Sequence, residues 1–221
     1  YVMEVFMILE GFKFSISFLK DNFSKLFLIV SLPFVLELLI TSISVNYMTD
    51  ESSAEFISVL VTLIIQTWAQ CTIIFYIHNQ QNSRSISDLY IYTLYKLPFI
   101  ILWGMFVALV VALGLLLIII PGIYIALRYS FYMFEILLSQ EKGSESMKDT
   151  FAMTNSKTVQ IFFYFLPPMV ITILLTVMIF SYVEVMIISI LYTYLLIVFF
   201  TIYTYYLYDQ LKGDTNGIES K

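Results

Sequence analysis

The stretch that decides the fold runs from Leu97 to Leu138 and reads LPFIILWGMFVALVVALGLLLIIIPGIYIALRYSFYMFEILL. Its first part, Leu97–Ile120, holds no charged residue. It is longer than the roughly 20 apolar residues a helix needs to cross a hydrocarbon core about 30 Å thick. Lipid offers backbone groups no hydrogen-bond partner, so an apolar run of this length is predicted to be a helix. Pro121-Gly122 is expected to break that helix and turn the chain tightly. The remainder, Ile123–Leu138, is expected to cross back, although it is short and carries Arg128 and Glu135.

The same reading extends in both directions. Further apolar spans are predicted over Leu26–Val45, Phe56–Ile77, Ile161–Tyr182 and Val185–Tyr208. With 60% hydrophobic residues, 12% charged residues and a mean hydropathy of +0.90, the chain is too apolar for a water-facing exterior. The fold class expected is therefore all-α integral membrane, with six transmembrane helices arranged as three hairpins. Alternating polar and apolar residues, the mark of a membrane β-barrel, do not occur.

Charge placement orients the spans. Lys13, Lys20 and Lys25 precede the first, Arg84 and Lys96 separate the second from the third, Lys142, Lys148 and Lys157 separate the fourth from the fifth, and Lys212 and Lys221 follow the sixth. Ten of the 11 basic residues thus fall on one side, which the positive-inside rule makes cytoplasmic. Both termini are expected there. If the fourth segment did not cross, Lys142, Lys148 and Lys157 would be moved outside. The first ten residues contain two glutamates and no basic residue, so no signal peptide is expected.

A repeat underlies this pattern. Each hairpin is expected to be preceded by an amphipathic interfacial helix. In the first, Phe12, Ile16, Leu19 and Phe23 form the apolar face. In the second, Ser85 and Asp88 have capping-box spacing. In the third, Ser144 is the expected cap, with Met147 and Phe151 on one face. The units are 1–77, 78–138 and 139–208, within a single membrane domain spanning 1–221 that ends in a polar tail, 209–221. Lys13, Lys20, Lys25, Lys96, Lys148 and Lys157 are expected to meet lipid headgroups.

The segment Leu115–Lys157 resembles the bacterial YciC-like inner-membrane proteins and the related membrane portion of some glycerophosphodiester phosphodiesterases. The matching features are Pro121-Gly122, Arg128, Glu141 and the amphipathic stretch Met147–Ser156. Met147 departs from the alanine usual in the family, and Asn155-Ser156 from its Lys/Arg-Gly. The resemblance implies a six-helix bundle with interfacial helices in a bacterial cytoplasmic membrane. It does not imply phosphodiesterase chemistry, which belongs to a separate soluble domain.

Ionisable residues within membrane spans default to functional candidates. Glu37, Arg128 and Glu135 qualify, and Gln66 and Gln70 share a helix face nearby. Arg128 and Glu135 are expected on one face, with Glu37 as the nearest acidic partner of Arg128 and Glu184 as the next. Gly104, Ala108 and Ala112 form a small-residue stripe suited to close helix packing. The lone His78 and lone Cys71 do not make a metal site, and no nucleophile or phosphate-loop signature is present. The 17 tyrosines and 20 phenylalanines suit an interfacial belt. The expected function is therefore a non-enzymatic membrane scaffold, accessory subunit or envelope factor without a cofactor. Its expected partners are membrane lipids and either another membrane protein or a second copy, and not nucleic acid. The alternative is a transporter or lipid-handling protein using Glu37, Arg128, Glu135, Gln66 and Gln70.

Overall fold

The computed structural model describes residues 2–47, 51–80, 84–139, 143–182 and 186–219. All elements among them are helices: α1 (Val2–Asp21), α2 (Phe23–Tyr47), α3 (Glu51–His78), α4 (Ile86–Leu117), α5 (Ile119–Arg128), α6 (Tyr132–Leu138), α7 (Gly143–Thr154), α8 (Thr158–Tyr182) and α9 (Met186–Glu219). Glu141, Lys142, Glu184 and Lys221, which enter the sequence reading, lie outside the described residues.

Among the described residues, five helices are long and apolar enough to cross a membrane: Phe23–Ile43, Phe56–His78, Ile86–Leu117, Thr158–Met178 and Ile187–Gly213. Much of their surface is apolar and exposed, from Phe27 on α2 to Leu102 on α4 and Leu174 on α8. Such an exterior requires lipid as its solvent, as in a multi-pass membrane protein. The C-terminal half of α3 differs. Cys71 through Ile77 are all buried, so this helix is the centre of the bundle and is enclosed by α2, α4, α6 and α9.

The fourth expected span is two short helices. The chain turns back at Ile118, a single residue with extended dihedrals (φ −157°, ψ 137°). Pro121 and Gly122 therefore do not form the turn. Pro121 lies in the first turn of α5, where a missing N–H removes no helical bond. Gly122 is needed for close approach instead. A Cβ there would lie 2.6 Å from the Leu115 backbone nitrogen, and one on Gly114 would lie 2.9 Å from Gly122 Cα. From this contact α5 and α6 run back beside α4: Tyr132 lies against Gly104, Lys96 Nζ donates to the Ile136 carbonyl at 3.4 Å, and the Tyr92 hydroxyl donates to the Leu137 carbonyl at 3.2 Å. The last two bonds cap carbonyls in the final turn of α6 that have no partner within their own helix. Of the small-residue stripe, only Gly104 is packed; Ala108 and Ala112 are exposed.

The interfacial helices are realised in part. α1 is a separate helix, but its buried stripe is Gly11, Ser15 and Phe18, with Gly11 against Tyr203 and Tyr206 of α9 and Phe18 against Tyr76 of α3. Ile16 and Phe23, expected on the apolar face, are exposed. The second expected interfacial helix is not separate. The Ser85 capping box forms as its spacing predicts, but the helix it opens runs unbroken to Leu117. Helix α7 is separate from α8 and packs on α6. The expected polar tail is also not separate. α9 continues through it to Glu219, with Leu211 buried.

Prolines inside helices leave carbonyls four residues earlier without a donor. Pro33 in α2 orphans the Ile29 carbonyl, and the Tyr90 hydroxyl of α4 donates to it at 2.7 Å. Pro168 in α8 orphans the Tyr164 carbonyl, and the Tyr203 hydroxyl of α9 donates to it at 2.8 Å. Two kink-prone sites are thereby turned into links between helices, the form of compensation expected where water is excluded.

Candidate functional site

Among the described residues, the polar candidates singled out from the sequence form three separate groups. In the first, Glu37 of α2 is buried with both carboxylate oxygens occupied. Oε2 accepts from the Tyr194 hydroxyl of α9 at 2.8 Å, and Oε1 accepts from Gln66 Nε2 of α3 at 3.2 Å. Tyr194 is held in place by an edge-on contact with Phe34, ring centroids 5.7 Å apart. Three helices are thus joined at one carboxyl. Of the candidates named from sequence, only Glu37 and Gln66 are brought together. Gln70 is half-buried, one turn from Gln66, and among the described residues it makes no bond to Glu37.

The second group is centred on Glu135 of α6, which is also buried. Lys212 Nζ of α9 lies 3.0 Å from each of its oxygens, and the Tyr208 hydroxyl donates to Oε1 at 3.0 Å. Lys212 also bonds the Tyr208 hydroxyl at 2.7 Å. Beside it is an open cavity of about 410 Å³ bounded by His78, Leu138, Tyr208, Asp209 and Lys212. The carboxylate is committed to α9, and these bonds anchor the end of that helix to α6.

The third is Arg128, the last residue of α5, at 0% exposure. It forms no ion pair with Glu37 or with any other described carboxylate, which corrects the expected pairing. Nor does it share a helix face with Glu135. The chain leaves helical geometry over Tyr129–Phe131, so a seven-residue spacing no longer returns to the same side. Its guanidinium carbon lies 3.6 Å from the centroid of Phe151 on α7 and 5.6 Å from that of Tyr124. The Arg128 backbone carbonyl accepts from Thr154 Oγ1 at 3.0 Å, which fixes the end of α5 against the end of α7.

The remaining expected contacts divide. Lys13, Lys20, Lys25 and Lys148 are exposed, as headgroup contacts require. Lys96 turns inward to Ile136, and Lys157 is half-buried. Sequence reasoning missed Tyr194, Tyr208, Lys212 and the Trp68–Thr72–Thr93 cluster. In that cluster Thr93 Oγ1 lies 3.0 Å from Thr72 Oγ1 and accepts from Trp68 Nε1 at 3.2 Å. No spacing signal pointed to these; for Tyr90 and Tyr203, also missed, one was present, since Pro33 and Pro168 each free a carbonyl that a tyrosine hydroxyl on a neighbouring helix can reach.

An apolar groove of about 430 Å³ lies between α2 and α9, bounded by residues that include Phe23, Phe27, Phe34, Leu191 and Tyr194. No protein-family model, curated protein or solved structure matches the chain, so the likeness to YciC-like proteins rests on its short motif alone.

Proposed function

We propose that the chain is a non-enzymatic scaffold or accessory subunit of a bacterial cytoplasmic membrane. It crosses the bilayer six times as three hairpins, with both termini inside and α5–α6 together making the fourth crossing. The fourth crossing is supported by the path of α5–α6 beside α4 and by the lysines that would otherwise be moved outside. The resemblance of Leu115–Lys157 to YciC-like proteins points to the same arrangement.

One observation carries the functional reading. Glu37 and Glu135 sit in separate groups, each bonded to side chains of other helices. Carboxylates used in this way link helices, whereas a transport path needs polar groups converging on one cavity. Native mass spectrometry of the protein extracted in mild detergent tests this. The scaffold reading expects a partner subunit or a second copy to be retained in fixed stoichiometry. A monomer carrying a solute, with uptake abolished by Glu37→Gln, would refute it. The apolar groove beside Tyr194 favours a second reading, lipid handling, which expects a lipid in fixed stoichiometry that is lost when Leu191 is enlarged to Trp.

A further inference from the structure

A guanidinium stays protonated under all biological conditions and carries five N–H donors in its plane. Arg128 is fully buried, and its Nε, Nη1 and Nη2 have no acceptor among the described residues. Its close neighbours are the rings of Phe151 and Tyr124. A ring face attracts a cation from above but leaves in-plane donors unused. The buried carboxylates Glu37 and Glu135 offer no remedy, because they are bonded in separate groups. A buried charge in this condition calls for an anion.

The second observation is where the covering ring stands. Phe151 is 42% exposed and lines an open cavity of about 430 Å³ together with Tyr129, Met147, Lys148, Ala152 and Asn155. The same side chain is thus the cover of the guanidinium and a wall of the cavity. Lys148 and Phe151 are three residues apart on α7, so the cation and the ring share one helix face, and Asn155, just past the end of α7, brings an amide to the same cavity. The acidic residues of α7, Glu145 and Asp149, do not line the cavity. The Arg128 end of the site is held firm by the Thr154 hydroxyl on its carbonyl.

We propose that Arg128 and Lys148 hold a phosphate-type oxyanion in this cavity, with Asn155 as a neutral donor and Phe151 as a side-chain cover that swings aside when the anion enters. Arginine matches the geometry of a phosphate by presenting two parallel donors. Phospholipid headgroups and free phosphate share this chemistry. The assignment does not depend on the scaffold role.

Titration of the purified full-length chain in detergent with phosphatidylglycerol, with phosphatidylcholine and with inorganic phosphate, read by native mass spectrometry, tests the site. The expected result is a preference for phosphatidylglycerol over phosphatidylcholine of roughly tenfold: both carry the phosphodiester anion, but the quaternary ammonium of phosphatidylcholine cancels its net charge and is repelled by the two cations of the site. Arg128→Met should abolish that preference, Lys148→Ala should reduce it several-fold, and Phe151→Ala should increase anion affinity. Lys148 and Phe151 are exposed, so those variants carry the test if Arg128→Met does not fold. Binding of phosphate alone with the same dependence on Lys148 and Phe151 identifies free phosphate as the ligand. Binding of phosphatidylglycerol alone identifies the lipid. Equal retention of both lipids without phosphate binding, or anion binding indifferent to all three variants, overturns the proposal.

Discussion

At the scale of single residues, the buried carboxylates behave as helix links, and their removal has a defined signature. Tyr194→Phe takes away one of the two donors to Glu37. Interhelical hydrogen bonds in membrane proteins contribute roughly 0.6 kcal/mol on average and up to about 1.7 kcal/mol, and the buried position of Glu37 puts this one at the upper end. The thermal midpoint in detergent should fall for Tyr194→Phe and for Glu37→Leu. The double variant should lose less than the sum, because each removes the same contact. Strict additivity would show that the hydroxyl and the carboxylate are not coupled. Lys212 and Glu135 give a contrasting case. The lysine side chain is 40% exposed, so solvent screening limits the pair to about 1 kcal/mol or less. Lys212→Met should therefore cost little in a thermal melt, with the Tyr208 hydroxyl still donating to Glu135.

Sequence reading located Glu37, Arg128 and Glu135 as the chain's intramembrane charges, because an ionisable residue stands out in an apolar run. It did not find their partners. A helix's rotation about its axis is set by packing against its neighbours, and a single sequence holds no record of that packing. Arg128 shows the limit plainly. Its spacing from Glu135 implied a shared face, and three non-helical residues, Tyr129 to Phe131, undid the inference.

At the scale of elements, the internal prolines make the sharpest prediction. Tyr203→Phe should destabilise the protein by about 1 kcal/mol, since it removes the hydroxyl that donates to the Tyr164 carbonyl. In a Pro168→Ala background the helix regains its own N–H for that carbonyl, so the same hydroxyl deletion should cost clearly less. An equal cost in both backgrounds would mean the tyrosine acts through packing alone. The hairpin of α4 and α5 depends on glycine for a steric reason. Gly122→Ala places a methyl 2.6 Å from the Leu115 backbone nitrogen, which cannot move without unwinding α4. This variant should be extracted in lower yield and melt earlier. Gly213→Ala, with open space around its Cβ, should be neutral.

Long apolar helices were legible because their signal is summed over many residues. Breaks between them were less so. Pro121-Gly122 is the obvious punctuation, yet the chain turns at Ile118, because a proline in a first helical turn is as acceptable as one in a loop. The capping box at Ser85 was read correctly as a helix start. It opened the membrane-spanning helix itself, since nothing between Asp88 and Pro98 ends it.

At the scale of the whole molecule, the proposed arrangement is six crossings with the lysines inside, of which α5–α6 is the decisive one. Cysteine labelling with a membrane-impermeant maleimide tests this most directly. The single native thiol, Cys71, is fully buried and should stay silent. With Ser52→Cys, Ile119→Cys and Ser144→Cys introduced one at a time, labelling of intact cells should modify positions 52 and 119, and position 144 should react only after the membrane is permeabilised. Labelling of Ser144→Cys in intact cells would mean that α5–α6 does not complete a crossing, and would contradict the six-span account.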